Sequence, residues 1–189
     1  MPKHNQAEWR PCESPYVLYA VNIGNMKLKI AGTIKNSIVD GDGIRYVVFA
    51  QGCEKRCKHC HNPHTHDKNG GYIADTEELA GEIVRDRLLS GVTFSGGEPF
   101  LQAKEFAHLA NLLPRDLSKY VYSGYLFEEL LEMGDDVRTL LCACDRLIDG
   151  EFIERETDVS LLPKFKGSGN QRIINLKQSM CEGRTVLAE

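Results

Sequence analysis

The sequence contains no long hydrophobic run, and this absence removes two classes of protein from consideration. No apolar stretch reaches the length of a membrane-spanning helix, and the N-terminus lacks the apolar core of a signal peptide. The seven cysteines are an odd number, and three of them are crowded together, unlike the disulfide framework of a small secreted protein. We therefore expect a cytoplasmic protein without a membrane partner.

Positive charge is also scarce. The chain has 23 Lys and Arg residues against 27 Asp and Glu residues, a formal net charge of −4. Nucleic-acid-binding proteins usually carry a basic excess, so no nucleic-acid partner is expected. No internal repeat is present, and 189 residues suit one domain with a substantial core. The pattern changes near Met26, which predicts an N-terminal extension over 1–25, a single domain over 26–180 and a tail over 181–189.

Short β-rich runs alternate with helical patterns from Lys27 onward, which is typical of an α/β protein. Six runs are predicted as strands: 28–33, 45–50, 91–94, 119–122, 146–148 and 172–176. Three helical segments are predicted. The first begins at Asp75 and has an apolar stripe of Leu79, Ile83 and Leu88. The second covers 102–113, and the third covers 126–142 with a break at Gly134. Such alternation implies a parallel sheet whose chemistry gathers at the carboxyl ends of the strands.

One loop concentrates thiols after the second predicted strand. Cys53, Cys57 and Cys60 are spaced C-x3-C-x2-C in the run GCEKRCKHCHNP. Three thiolates can hold a four-iron cluster but leave one iron without a protein ligand, and an open iron can bind a small molecule. The alternative is zinc, with a fourth ligand from a neighbouring histidine: His59, His61, His64 or His66. The spacing favours the cluster and leaves both interpretations open.

A second motif follows the third predicted strand. Ser95-Gly96-Gly97-Glu98-Pro99 places two glycines where a ligand can approach the backbone closely. Glu98 adds a carboxylate, so the loop can bind a group that carries an ammonium. By itself, such a stretch is more often a plain turn between a strand and a helix. Its position one strand after a cysteine loop with an open iron favours a binding site.

Together, the run G-C-x3-C-x2-C-H-N-P and the later S-G-G-E-P resemble the radical S-adenosylmethionine superfamily, in its glycyl-radical activating branch. The resemblance implies a partial, open (β/α) barrel of about five to six mainly parallel strands. It also implies one [4Fe-4S] cluster held by Cys53, Cys57 and Cys60, and S-adenosylmethionine on the open iron. The reactive species would be a 5′-deoxyadenosyl radical that takes hydrogen from a substrate, so no catalytic acid or base is expected.

The same resemblance assigns residues to the two ends of S-adenosylmethionine. Gly96, Gly97 and Glu98 are expected at the methionine end, because the GGE loop of the family contacts the amino group. His59 and His61 are expected to flank the adenosine. These five contacts depend on the family pattern and not on spacing alone.

Three later segments narrow the resemblance. The runs VYSGY at 121–125, LIDGEF at 147–152 and KGSGNQ at 166–171 resemble ordered motifs of the activating proteins of anaerobic ribonucleoside-triphosphate reductases. Because Asn170 belongs to the KGSGNQ motif, the resemblance implies that it contacts S-adenosylmethionine. The implied partners are the reductase, on which a backbone glycine would be the substrate, and a flavodoxin-type or thioredoxin-type reductant.

The sequence departs from the family motifs at two positions, and three other functions are compatible with parts of the pattern. Asp42 stands where the family has proline in D-G-P-G-x-R, which adds a negative charge near the site, and Lys166 replaces an arginine. An activator of another glycyl radical enzyme, of the formate-lyase type, is one alternative. A lyase similar to 7-carboxy-7-deazaguanine synthase is another. A zinc-binding or electron-transfer module is the third, and it would leave SGGEP unexplained.

Overall fold

Seven strands form one open sheet in the computed structural model, which describes residues 25–157 and 165–188. The strands are β1 (Lys27–Ser37), β2 (Arg45–Ala50), β3 (Tyr72–Asp75), β4 (Gly91–Gly96), β5 (Ser118–Tyr122), β6 (Arg146–Asp149) and β7 (Arg172–Asn175). The helices are α1 (Thr76–Arg85), α2 (Ala103–Leu112), α3 (Phe127–Leu131), α4 (Asp135–Ala143) and α5 (Leu176–Glu182). Residues 1–24, most of the predicted extension, lie outside the described residues, and the domain bounds stay predictions.

The strand order is β3-β1-β2-β4-β5-β6-β7. The central strands β2, β4, β5 and β6 run parallel, and the outer pairs are antiparallel. The α/β class and the open sheet with a parallel centre are therefore confirmed, and so are all six predicted strands. The structure adds β3, which the sequence did not predict. Its four residues are too few to show a periodic pattern, and pairing with β1 holds it in place.

The two faces of the sheet have different roles. Val48 in β2 and Phe94 in β4 belong to the buried hydrophobic core, which side chains of α1, α2 and α4 complete. Their neighbours Phe49 and Ser95 point to the opposite side, because successive side chains of a strand alternate. These two line a cleft. One face thus supplies stability and the other supplies the walls of a site.

Helix α1 begins where the sequence predicts. The Asp75 carboxylate accepts the backbone N–H groups of Glu77 at 3.0 Å and Glu78 at 3.1 Å, which caps the helix. The first two residues of the predicted stripe are buried. The third, Leu88, is 70% exposed, so its place in the stripe was wrong. The helix ends at Arg85, before that residue is reached.

Arg45, at the amino end of β2, anchors the loop that precedes it. Its side chain is fully buried. It donates to five groups: Thr93 Oγ1 at 2.7 Å, Ser118 Oγ at 2.8 Å, and the carbonyls of Asp42 at 3.1 Å, Val92 at 2.6 Å and Ser118 at 2.9 Å. The guanidinium also lies 3.9 Å from the centre of the Tyr120 ring. The amino end of the sheet is closed by this cation and the loop that it holds.

Asp42, the residue in place of the family's proline, is part of the same closure. Its carboxylate accepts from the Tyr120 hydroxyl at 2.6 Å and from Arg146 at 3.1 Å. The hydroxyl and the guanidinium therefore engage the added negative charge. The added charge was expected near the site, but Asp42 does not line the cleft that holds the cysteines, and its charge is paired at the amino end of the sheet.

The end of the described chain returns to the sheet after α5. The N–H of Ala188 donates to the Ile173 carbonyl at 2.8 Å, and the N–H of Asn175 donates to the Val186 carbonyl at 2.9 Å. This segment therefore lies along β7. No helix within residues 25–157 and 165–188 has the length and apolarity needed to cross a membrane.

Candidate functional site

A cleft of about 490 Å³ lies where the parallel strands end. Four loops line it: the cysteine loop after β2, the glycine pair after β4, Ser123 and Gly124 after β5, and Gly150 and Phe152 after β6. Residues 165–167 and Gln171 form a further wall. The sequence predicted that these four motifs converge at one edge of the sheet, and the structure confirms it.

The three cysteines of the loop share this cleft and are partly buried. Each sulfur accepts a backbone N–H: from Lys55 and Arg56 at Cys53, from Phe152 at Cys57, and from Asn62 at Cys60, at 3.4 Å. Burial raises the pKa of the Cys53 and Cys57 thiols, and these N–H groups oppose that rise. Burial therefore outweighs these donors in the metal-free protein, and the same N–H groups would stabilise the sulfurs as thiolates once a metal is bound.

The glycine pair is required by close backbone packing. Gly96 has a φ of +94°, and a Cβ there would lie 2.7 Å from the Phe49 Cα. A Cβ on Gly97 would lie 2.4 Å from the Gly52 carbonyl oxygen. The same segment is tied to the cysteine loop, because the N–H of Glu98 donates to that carbonyl at 2.8 Å. The two loops therefore form one unit.

Glu98 lies beneath this unit and is 1% exposed. Its carboxylate accepts from the N–H of Gly124 at 2.9 Å, the N–H of Phe100 at 3.2 Å and the hydroxyl of Ser123 at 3.1 Å. Burial raises the pKa of Glu98 to about 7, against the opposing effect of these donors. The structure places this carboxylate between the glycine pair and the SGY loop, and the cleft surface is formed by its neighbours Gly96 and Gly97.

The two histidines expected beside the adenosine lie in different surroundings. His61 lines the cleft, and its ring packs against Phe152 with the ring centres 4.5 Å apart. The His59 side chain is 54% exposed and pairs through Nδ1 with Glu154 at 2.9 Å. The residues that line the cleft include His61 and do not include His59.

Asn170 acts on a neighbouring loop. Its amide donates to the Glu151 carbonyl at 2.8 Å and accepts from the Ser168 hydroxyl at 2.7 Å. The next residue, Gln171, lines the cleft and donates to the Gly150 carbonyl at 3.0 Å. Sequence reasoning missed Gln171, although it belongs to the same KGSGNQ motif. Both amides hold the turn after β6 in place.

Lys55 is a second cleft residue that the motifs did not identify. Its ammonium lies 4.1 Å from the centre of the Tyr125 ring and 3.1 Å from the Glu151 carboxylate. Lys55 lines the same cleft as the three cysteines, and its charge is balanced in part by Glu151. The one signal in the sequence was its position between the first two cysteines.

Zinc was the alternative ligand of the cysteine loop. Within 25–157 and 165–188, no group of three or more His, Cys, Asp or Glu side chains is arranged to hold a single metal ion. His66 lines the cleft, and its Nε2 is buried without a hydrogen-bond partner among the described residues. His64 is exposed.

Comparisons with known proteins agree with this site. A family described as "4Fe-4S single cluster domain" matches residues 39–174. An anaerobic ribonucleoside-triphosphate reductase-activating protein of Vibrio cholerae is 33% identical over 147 residues, which are 72% of this chain and 90% of that protein. The protein of the same description from Haemophilus influenzae is 30% identical over 74% of this chain and 93% of its own length. The chain belongs to the radical S-adenosylmethionine family of glycyl-radical activating enzymes.

Another relative differs in length. A pyruvate formate-lyase-activating enzyme of Clostridium pasteurianum is 42% identical over 110 residues, and the match covers 52% of this chain and 45% of that enzyme. The chain therefore spans less than half the length of this relative. Among solved structures, that of QueE from Escherichia coli is similar with 20% identity and a TM-score of 0.42, over 52% of this chain and 53% of that one.

A [4Fe-4S] cluster and S-adenosylmethionine are the cofactors that membership of this family implies. The residues present fit them. Three sulfurs with N–H donors line one cleft, and a glycine pair without side chains faces the same space.

Proposed function

We propose that this protein installs a glycyl radical on an anaerobic ribonucleoside-triphosphate reductase. The observation that carries the proposal is the meeting of three cysteine sulfurs with Gly96 and Gly97 on one cleft. Coverage supports the choice of partner, because this chain matches 90% and 93% of two reductase-activating proteins but 45% of a formate-lyase activator.

In this proposal, Cys53, Cys57 and Cys60 hold the cluster, and Gly96 and Gly97 present their backbone to the methionine end of S-adenosylmethionine. These residues would hold a cluster and S-adenosylmethionine, which together would supply one-electron cleavage to methionine and a 5′-deoxyadenosyl group able to take a hydrogen atom from the glycine Cα of the partner. The residues of this chain position the reacting groups relative to one another and exclude water from the cleft. None of them needs to act as an acid or a base.

The remaining predicted contacts receive separate roles. His61, which packs on Phe152, forms the wall beside the adenosine. Glu98 and Asn170 act as positioning residues, because their hydrogen bonds hold the loops that line the cleft. His59 supports the cysteine loop from outside through Glu154.

The electron needed for each turnover comes from a reduced flavodoxin-type or thioredoxin-type protein in this proposal. We assign the reaction to the cytoplasm, where three closely spaced thiols stay reduced. The reductase would be the second protein partner, and its glycine-bearing segment would enter the cleft.

An activator of the formate-lyase type is the second candidate. It is favoured by the 42% identity over 110 residues to the Clostridium pasteurianum enzyme. The two candidates share the cofactors and differ in the protein that carries the glycine.

One experiment separates the candidates. The anaerobically reconstituted protein is incubated with dithionite, S-adenosylmethionine and either the anaerobic reductase or pyruvate formate-lyase of the same organism. A glycyl-radical doublet in the electron paramagnetic resonance spectrum with the reductase supports the proposal, and a doublet with the lyase alone supports the second candidate. Formation of 5′-deoxyadenosine without a doublet on either protein would reject both and favour a small-molecule lyase.

A further inference from the structure

Three aliphatic side chains stand exposed beside the cleft. Ile34, Ile38 and Val39, called here the rim patch, are 47%, 74% and 71% exposed. Adjacent exposed aliphatic groups are unfavourable in water and, where they cluster, often mark a contact site for another molecule. Ile34 and Val39 also line the cleft that holds the three cysteines. The patch is therefore continuous with the proposed site.

The turn that carries Ile38 and Val39 is held in its exposed shape. The N–H of Val39 donates to the Ser37 hydroxyl at 3.3 Å, and that hydroxyl donates to the Asp40 carboxylate. The Asp40 carbonyl in turn accepts from Thr93 Oγ1 at 2.7 Å, which fastens the turn to β4. A fixed turn loses little conformational entropy when a partner binds to it.

The neighbouring strand favours a polypeptide as the occupant. β1 pairs with β3 only from Lys27 to Ile30, and within the described residues no strand lies beside its outer edge after Ile30. An extended segment can add main-chain hydrogen bonds at such an edge. The face of β1 at Gly32 is open as well, because a Cβ built there would meet nothing within 4 Å, so side chains of an added segment would find room beside it.

Charges near the patch disfavour an acidic occupant. Lys35, the nearest cation in β1, is already paired with Glu82 at 2.5 Å. The Asp40 carboxylate accepts from the Ser37 hydroxyl and would repel a second carboxylate. The contact surface is thus aliphatic beside an acidic side chain, and it fits an apolar segment better than an acidic one.

We infer that the rim patch is the docking surface for the glycine-bearing segment of the partner protein, which binds as an extended stretch with apolar side chains against Ile34, Ile38 and Val39. This inference rests on the proposed function and adds the place where the substrate protein is recognised. It separates recognition of the partner from cofactor binding, since Ile38 lies outside the cleft lining.

The test compares two substitutions of matched chemistry. Ile38→Asp and Leu88→Asp each replace one aliphatic side chain, 74% and 70% exposed, by a carboxylate, so the net charge changes equally. The rate of glycyl-radical formation is measured against the concentration of the anaerobic reductase, and 5′-deoxyadenosine formation is measured without it. We expect Ile38→Asp to raise the KM for the reductase about tenfold with unchanged partner-independent cleavage, and Leu88→Asp to match wild type.

The possible outcomes test the docking surface and the proposed function separately. Equal KM values for wild type and Ile38→Asp, or equal increases in both variants, would overturn the docking surface while leaving the activity in place. A wild-type protein that cleaves S-adenosylmethionine but forms no radical on the reductase would reject the proposed function and the docking surface with it. Urea unfolding of both variants checks that neither has lost its fold.

Discussion

At the scale of single residues, Glu98 is a carboxyl group placed where a charge is costly. It is almost fully buried, and its donors come from Phe100 on one side and from Ser123 and Gly124 on the other. It therefore joins the loop after β4 to the loop after β5. The burial that makes it an effective link also makes its ionisation sensitive to pH near neutrality.

Replacement of Glu98 by Gln removes this titration. The folded-state pKa is raised from 4.5 to about 7, so the stability of the wild type relative to Glu98→Gln is greatest below pH 4.5 and is lost as the pH rises to about 7. We expect a relative loss of up to about 3 kcal/mol in the free energy of unfolding across this window. Urea titrations of the two proteins without cofactors, at a series of pH values, measure it. A difference that does not change with pH would contradict the prediction.

At the scale of elements, the glycine pair and the cysteine loop behave as one piece. The N–H of Gly97 donates to the Ala50 carbonyl at 2.9 Å, and the N–H of Glu98 donates to the Gly52 carbonyl at 2.8 Å. A side chain between these loops would force them apart. The geometry of the two motifs is therefore coupled although about 35 residues separate them in the sequence.

Gly97→Ala tests this coupling. The added Cβ would lie 2.4 Å from the Gly52 carbonyl oxygen, so we expect the free energy of unfolding to fall by about 2 kcal/mol. S-adenosylmethionine binding to the reconstituted protein should weaken at least about tenfold, as measured by equilibrium dialysis. Gly81→Ala is the matched control, since a Cβ there meets nothing within 4 Å and alanine favours the α1 helix by up to about 1 kcal/mol. Unchanged binding in Gly97→Ala would show that the loops move independently.

The elements also show which features a sequence can predict. The central strands were predictable because each contains adjacent β-branched, aromatic or aliphatic residues, and the convergence of the motifs followed from the general rule for parallel sheets. The directions of loop side chains were not predictable, because distant partners decide them. His59 turns to Glu154 and Asn170 turns to Glu151, and neither contact follows from local spacing. Arg45 is similar, since its burial depends on Thr93 and Tyr120, far along the chain.

At the scale of the whole molecule, the core and the site occupy opposite faces of one sheet. The buried core is built from alternate residues of the strands and from helix side chains such as Phe106 and Leu109. The three cysteines of the loop are only partly buried and lie on the other side. The stability of the fold and the binding of the cofactors therefore depend on different residues.

Cys57→Ala measures this separation. We expect wild-type protein to hold about four irons per chain after anaerobic reconstitution and Cys57→Ala to lose most of them, with no 5′-deoxyadenosine formed. Without cofactors, the free energies of unfolding should agree within about 1 kcal/mol. Cys181→Ala, which removes an exposed cysteine near the end of α5, is the control and should keep its iron. Full iron content in Cys57→Ala would show that another residue completes the site.

The location of the cysteines outside the core has a consequence for the life of the protein in a cell. Oxygen that destroyed a cluster in this cleft would leave the hydrophobic core untouched, so the damaged protein would be a folded chain able to accept iron and sulfide again. A cell that returns to anaerobic conditions can then repair its existing copies and need not synthesise new ones. The recovery of activity would be limited by the supply of clusters and not by translation or folding.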